Sequence, residues 1–332
     1  MKKISTLLFA ASLGLSSLSF AQQDPQFTQF MFCKQAYNPA VVGTNGTICF
    51  DALYRQQWVS FPGAPKTGLF GFNMNMGNIG VGLTLVQDQI GFQTTTMARL
   101  AGAYHIHIGA TGILSIGVDA GIYQSKISGS YIAPQTLNDP SIPNNGGGYG
   151  GPASNNLNKM SPDFGGGIYY TIPNKLYIGV SSTHLSGEQL TGGSNQPSTP
   201  PQYAGYKITF DVARHYYIMA GYNFDLASGR DALQTNVLVK TDAASTQLDV
   251  NATYMFKKMI GLGVSYRLQD AVAPMIVFKS AFGLRVAYSY DITTSKIKGY
   301  SSGTHEISLG FCMKPKDKAK TQSHWNTRFF AE

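Results

Sequence analysis

Residues 245–256, STQLDVNATYMF, alternate apolar and polar positions without a break. Leu248, Val250, Ala252, Tyr254 and Phe256 fall on one face, and Gln247, Asp249, Asn251, Thr253 and Met255 on the other. A period of two is the signature of a β-strand with unlike faces. The same alternation runs through AFGLRVAYSYD at 281–291, MIGLGVSYRL at 259–268 and THEISLGFCM at 304–313. Along the whole chain it predicts fourteen strands: 46–58, 67–76, 78–87, 93–107, 111–127, 161–171, 174–184, 213–225, 231–240, 245–255, 259–268, 270–279, 281–292 and 303–313.

Both a β-sandwich and a transmembrane barrel show such alternation, so the polar face has to separate them. Here it mixes small residues with charge: Asp51, Arg55, Arg99, Asp119, Lys240, Asp249, Arg267, Arg285 and Asp291. Scattered charges among glycines suit a narrow wet lumen, and apolar faces ending in Tyr or Phe suit lipid and its interfacial girdle. The reading is therefore all-β, a transmembrane antiparallel barrel of about 14 strands spanning 46–313, with a large sandwich as the rival. An even count agrees with single-chain bacterial barrels. With both termini periplasmic, the odd connections face outward. The two longest, 128–160 and 185–212, are the fifth and seventh. The first of these is rich in Gly, Asn and Pro, and reads as a solvated external loop.

The N-terminus sets the compartment. Lys2 and Lys3 precede an apolar run from Ile4 to Leu18, and Ser19-Phe20-Ala21 fits a small-x-small cleavage site between Ala21 and Gln22. Residues 1–21 are expected to be a signal peptide, which directs the chain outward. The formal charge of +8 includes a basic cluster, Lys314, Lys316, Lys318 and Lys320, in an expected periplasmic tail at 314–332. That cluster reads as a solvated tail, and an exported chain without a basic nucleic-acid-binding fold motif is not expected to bind nucleic acid.

Three cysteines are too few for a disulfide scaffold, and their spacing matches no zinc motif. Alternation places Cys49 and Cys312 on the luminal face of the first and last strands. Barrel closure makes those strands neighbours, so the two thiols are expected close together at the periplasmic end. They either form a seam disulfide or simply fill space as small residues. His105 and His107 share a face in YHIHIG, but no further ligand sits at matching spacing, and they read as a luminal polar pair. SPDFGGGIYY, with three glycines inside a strand, predicts a bulge or tight bend. No nucleophile elbow, ordered triad or phosphate loop is present, so neither an enzyme nor a cofactor is expected.

QQDPQFTQFMFCKQAYNPAVVG, residues 22–43, is aromatic at its centre, and Pro39 after Asn38 ends any short helix. Phe27, Phe30, Met31, Phe32 and Tyr37 are too apolar for a free tail. Residues 22–45 are expected on the periplasmic side, at or under the barrel mouth, buried either as a plug or against a partner. The blocks DPQFTQFMF…AYNPAVVG at 24–43, YRQQWVSFPGAPKT at 54–67, YSYDITTSKIKGYSSGTHEISLGF at 288–311 and the terminal RFF at 328–330 resemble, in order, those of the PorP/SprF family of the type IX secretion system. Cys33 departs from the pattern, where members commonly carry Asn.

The resemblance implies an outer-membrane protein of Bacteroidota that supports export or surface attachment of particular cargo, gliding adhesins included. It also implies partners: the cargo C-terminal domain, periplasmic ring or peptidoglycan-binding components, and outer-membrane lipid. On that basis Phe27, Phe30, Tyr37, Asn38 and Pro39 are candidate contacts for the periplasmic machinery. Trp58, Phe61 and Pro62, in the stiff first external loop, are candidates for cargo, with Trp58 alternatively a girdle residue. A passive porin, an outer-membrane hydrolase and a purely structural anchor are the rival functions.

Overall fold

The computed structural model describes residues 24–127, 157–187, 189–193, 207–242 and 244–313. The expected signal peptide with its Ala21–Gln22 cleavage site, the basic tail and most of the 128–160 loop lie outside the described residues.

Fourteen antiparallel strands close into one barrel. In chain order they begin with β1 (Ile48–Gln56), β2 (Lys66–Met76), β3 (Ile79–Ile90), β4 (Gln93–Ile108), β5 (Gly112–Ile127), β6 (Leu157–Ile172) and β7 (Leu176–Thr183). Two short strands, β8 (Gln189–Gly193) and β9 (Lys207–Asp211), pair only with each other. The barrel resumes with β10 (His215–Leu226), β11 (Asp231–Thr241), β12 (Thr246–Phe256), β13 (Ile260–Arg267), β14 (Ala271–Lys279), β15 (Leu284–Thr293) and β16 (Thr304–Met313). The seventh connection, read from sequence as loop, thus carries its own hairpin. β6 begins at Leu157, four residues earlier than the alternation alone predicts, because Asn158, Lys159 and Met160 continue the β5 ladder.

Alternation is realised as an apolar outside and a polar inside. On β12, Val250, Ala252, Tyr254 and Phe256 are exposed, while Asp249, Asn251, Thr253 and Met255 are buried. Leu100, Val118 and Leu262, each about two-thirds exposed, lie on the same outer surface. In water such a surface would be a liability; facing hydrocarbon it is what holds the barrel in the membrane. Tyr54, Tyr104, Tyr216, Tyr266 and Phe278 add exposed aromatics to it.

The three glycines of β6 form no bulge against β5. Gly165, Gly166 and Gly167 pair in unbroken register with Asp119, Val118 and Gly117. Their smallness serves the interior instead, since a side chain at Gly167 would collide with Asn38.

Both ends of the sheet meet at β1 and β16, where Ile48 pairs with Met313 and Gln56 with His305. In that register Cys49 faces Cys312, and the two are joined by a disulfide with Cα atoms 4.2 Å apart. Three-residue turns at 173–175 and 257–259, and the two-residue turn at 77–78, occupy the end carrying this bond. The other end carries the longer connections, which in outer-membrane barrels face outward.

Candidate functional site

The lumen is filled by the chain's own N-terminal segment. Residues 24–45 enter at the long-loop end, descend the barrel in three short 3-10 turns (Phe30–Phe32, Lys34–Ala36, Pro39–Val41), and turn into β1 at the opposite mouth. A segment this short in regular bonding must find partners for its backbone elsewhere. The barrel wall supplies them.

At the long-loop end, Asp24 sits among His184, His215, Tyr217 and Lys240. His184 Nε2 lies 2.8 Å from Asp24 Oδ1, the Asp24 amide donates to His215 Nε2 at 3.2 Å, and Lys240 Nζ donates to the Asp24 carbonyl at 2.9 Å. The Tyr217 hydroxyl donates to the second carboxylate oxygen of Asp24. Burial works against a charged His184, but the Asp24 carboxylate outweighs it, with help from Asp163, and pushes the imidazole up to about 10.

Further down, Thr28 and Gln29 dock on a buried ionic cluster. Glu306 accepts the Thr28 and Gln29 amides at 3.0 and 2.7 Å. Arg55 bridges Glu306 and Asp291 at 2.7 and 2.8 Å. Arg267 joins Asp249, Asp270 and Asp291. The Thr28 hydroxyl donates to Asp291 at 2.7 Å and accepts from Arg55 at 2.9 Å. Gln29 closes the set, donating to the Glu306 carbonyl and accepting from Ser308. Arg55, Asp291 and Glu306 are each at most 2 % exposed, so these charges are tolerable only because each meets a partner.

The lower half of the plug fits by shape. Asn38 caps the third turn by accepting from Ala40 N at 2.9 Å, and its amide donates to Ile168 O across the wall. Gly167 and Gly179 leave the slot it occupies. Arg99 donates to Ala36 O and Ser181 to Tyr37 O. A Cβ at Gly117 would stand 2.5 Å from Ala40 N, and one at Gly80 would stand 2.0 Å from Val42 O. His105 meets that same carbonyl at 3.0 Å, while His107, two residues on, is exposed.

Below the plug opens a vestibule of about 250 Å³, lined in part by Lys34, Lys175, Lys279, Arg285 and Asp51, with the Cys49–Cys312 bridge in its wall. Lys34 lies 4.0 Å from the Tyr177 ring centroid, and burial lowers its pKa.

The sequence-derived candidates separate into three places. Phe27, Phe30, Tyr37, Asn38 and Pro39 are buried in the lumen, with Tyr37 edge-on to Phe27 and Tyr217. They are therefore not a surface under the periplasmic mouth: the segment starts at the outer end and runs inward, because only the polar lumen satisfies its backbone. Trp58, Phe61 and Pro62 lie in the 57–65 loop at the outer end, Phe61 and Pro62 exposed and Trp58 half-buried. That loop is tied to the last external connection through Val59 N to Gly303 O and Ser302 N to Val59 O, both 2.8 Å. Cys49 and Cys312 form the third group, at the periplasmic seam. Arg267 was legible as a luminal charge, but its docking role and those of Glu306 and His184 escaped the sequence reading, since nothing local distinguishes a wall residue that faces a plug from one that faces water.

The family model described as type IX secretion system membrane protein PorP/SprF matches residues 19–311. No curated protein matches the chain. Among solved structures, the chain is similar to the Acinetobacter baumannii outer membrane protein Omp33, at 6% identity, with 81% of this chain and 100% of that one covered and a TM-score of 0.44. It is also similar to a Pseudomonas aeruginosa FadL homologue, at 12% identity over 81% of this chain and 89% of that one, TM-score 0.43. The Pseudomonas putida toluene transporter TodX gives 8% identity over 80% and 87%, TM-score 0.39.

Proposed function

The chain belongs to the PorP/SprF family of type IX secretion system membrane proteins, and from that premise we propose that it supports export or surface attachment of particular cargo as an outer-membrane adaptor. The reading assigns it no catalytic step. The supporting observation is the occupied lumen: residues 24–45 are held along their length by wall side chains, and Thr28 and Gln29 by a buried ionic cluster. A polypeptide cannot share that space with the plug. The exposed rims must then do the work. At the outer rim the proline-stiffened 57–65 loop offers Phe61 and Trp58 to the C-terminal domain of a cargo such as an adhesin. At the periplasmic rim the cationic vestibule suits acidic groups of ring or peptidoglycan-binding components.

The alternative is a passive porin. A seated plug argues against it, and planar-bilayer recordings separate the two, since a porin gives a steady open conductance. The deciding experiment deletes the gene in its host and compares surface proteomes. Selective loss of one or a few large exported proteins supports the adaptor. An unchanged exported set with altered small-solute uptake refutes it. Shortening the 57–65 loop should reproduce the selective loss; normal cargo display would remove the outer rim from the proposal.

A further inference from the structure

Asp24, His184 and His215 belong to three distant stretches of sequence, and the fold brings them together where the plug begins. Each residue offers one ligand atom, a carboxylate oxygen or a ring nitrogen, and these three atoms all lie within 4.8 Å of one another. We propose that these three residues bind a divalent transition cation of the zinc class, which fastens the start of the plug to the barrel wall.

The orientation of both imidazoles carries the argument. His215 Nδ1 lies 3.0 Å from the Ala213 carbonyl, which fixes the proton there and turns the Nε2 lone pair inward. His184 Nδ1 lies 3.0 Å from Asp163 Oδ2, within ion-pairing reach although off the angle of a hydrogen bond. Asp163 is 1% exposed, and neither of its oxygens has a hydrogen-bond partner. A histidine whose far nitrogen faces a carboxylate or carbonyl is the usual arrangement around a bound metal, because the acceptor sets the tautomer and raises ligand basicity. Tyr217 similarly holds Asp24 Oδ2, leaving Oδ1 to His184.

The donor set fits zinc in chemistry and number. Two imidazoles and one carboxylate are three protein ligands, with typical bonds of about 2.0–2.2 Å. His184 Nε2 and Asp24 Oδ1 are 2.8 Å apart, closer than two ligands of one ion sit, and the cation would replace the proton they share. The Asp24 amide would release His215 Nε2 at the same time. A fourth position opens toward a cavity of about 320 Å³ lined by Asp88, Thr95, Met97 and Tyr123, large enough for water or a carboxylate oxygen. His107 and His305 are exposed on other parts of the barrel and do not enter this cluster. No motif announces the site, since its ligands come from the plug, from the residue after β7 and from the first residue of β10.

The test uses the mature chain in detergent micelles, stripped with chelator and titrated with Zn2+ by calorimetry. One equivalent should bind, and His184→Ala and His215→Ala should each weaken it at least tenfold. Absence of saturable binding by the parent chain would overturn the proposal and leave an ion pair only. Undiminished binding by both variants would overturn it too, by assigning the zinc to exposed histidines. If a variant does not fold, X-ray absorption of the zinc-loaded parent decides: two imidazoles with oxygen donors support the site, whereas a sulfur donor or a single imidazole refutes it.

Discussion

Replacing Glu306 with Ala should loosen the plug while leaving the barrel closed. Glu306 is fully buried and accepts two plug amides, at 3.0 and 2.7 Å, besides pairing with Arg55. Hydrogen bonds to a charged group are each worth about 1.5–3 kcal/mol. Arg55 keeps Asp291 at 2.8 Å, so the wall itself loses less. Two such bonds lost to the plug, offset by partial rearrangement, amount to about 3 kcal/mol, or roughly a hundredfold in the population of the released plug. Cys33 reports that population directly. It is the free cysteine among the described residues, 3% exposed, and burial pushes its thiol well above the usual range. It therefore reacts with a maleimide only when the plug opens. Under non-reducing conditions in micelles, E306A should label roughly a hundredfold faster than the parent, and E306Q, which keeps one acceptor oxygen, by an intermediate factor. A rate for E306A within twofold of the parent, in a barrel that still shows its folded gel mobility, would refute the docking role. Immediate labelling of the parent chain would refute the seated plug altogether.

Gly117→Ala should also expose Cys33, because its methyl would meet the Ala40 backbone at 2.5 Å; overpacking of this kind costs about 1–3 kcal/mol. Gly68→Ala, with nothing within 4 Å of the added carbon, should label at the parent rate, and equal rates for both variants would count against shape complementarity. The double substitution Cys49→Ser, Cys312→Ser should abolish the reductant-dependent mobility of the denatured chain and lower stability by about 2–5 kcal/mol, read by denaturant titration. A parent chain whose mobility ignores reductant would contradict the bridge. Leu100→Arg, on the outer face of β4, should cost about 2–4 kcal/mol in refolding into lipid vesicles; a neutral result would take that face away from the hydrocarbon.

The barrel was legible because its physics is local. Alternation at Leu248 to Phe256 needs no knowledge of distant residues, and once the sheet is read as a closed barrel an even strand count makes β1 and β16 antiparallel neighbours. The hairpin of β8 and β9 was hidden, since five-residue strands among Gly and Pro leave little periodicity. Gly165 to Gly167 were misread as a bend, because a glycine that admits Asn38 looks the same in sequence as one that lets the backbone turn. The apolarity of Phe27, Phe30 and Tyr37 did announce burial. Its location did not follow, because the acceptors that draw the segment upward, Glu306 and Asp291, lie more than 260 residues away. Asp24, His184 and His215 met only through that path.

The bond between Cys49 and Cys312 turns the barrel into a covalent ring at its inner rim. A hoop closed in this way cannot part between its first and last staves at that rim while the sulfurs stay joined. A reducing environment would remove that clasp and leave the seam to its backbone ladder alone.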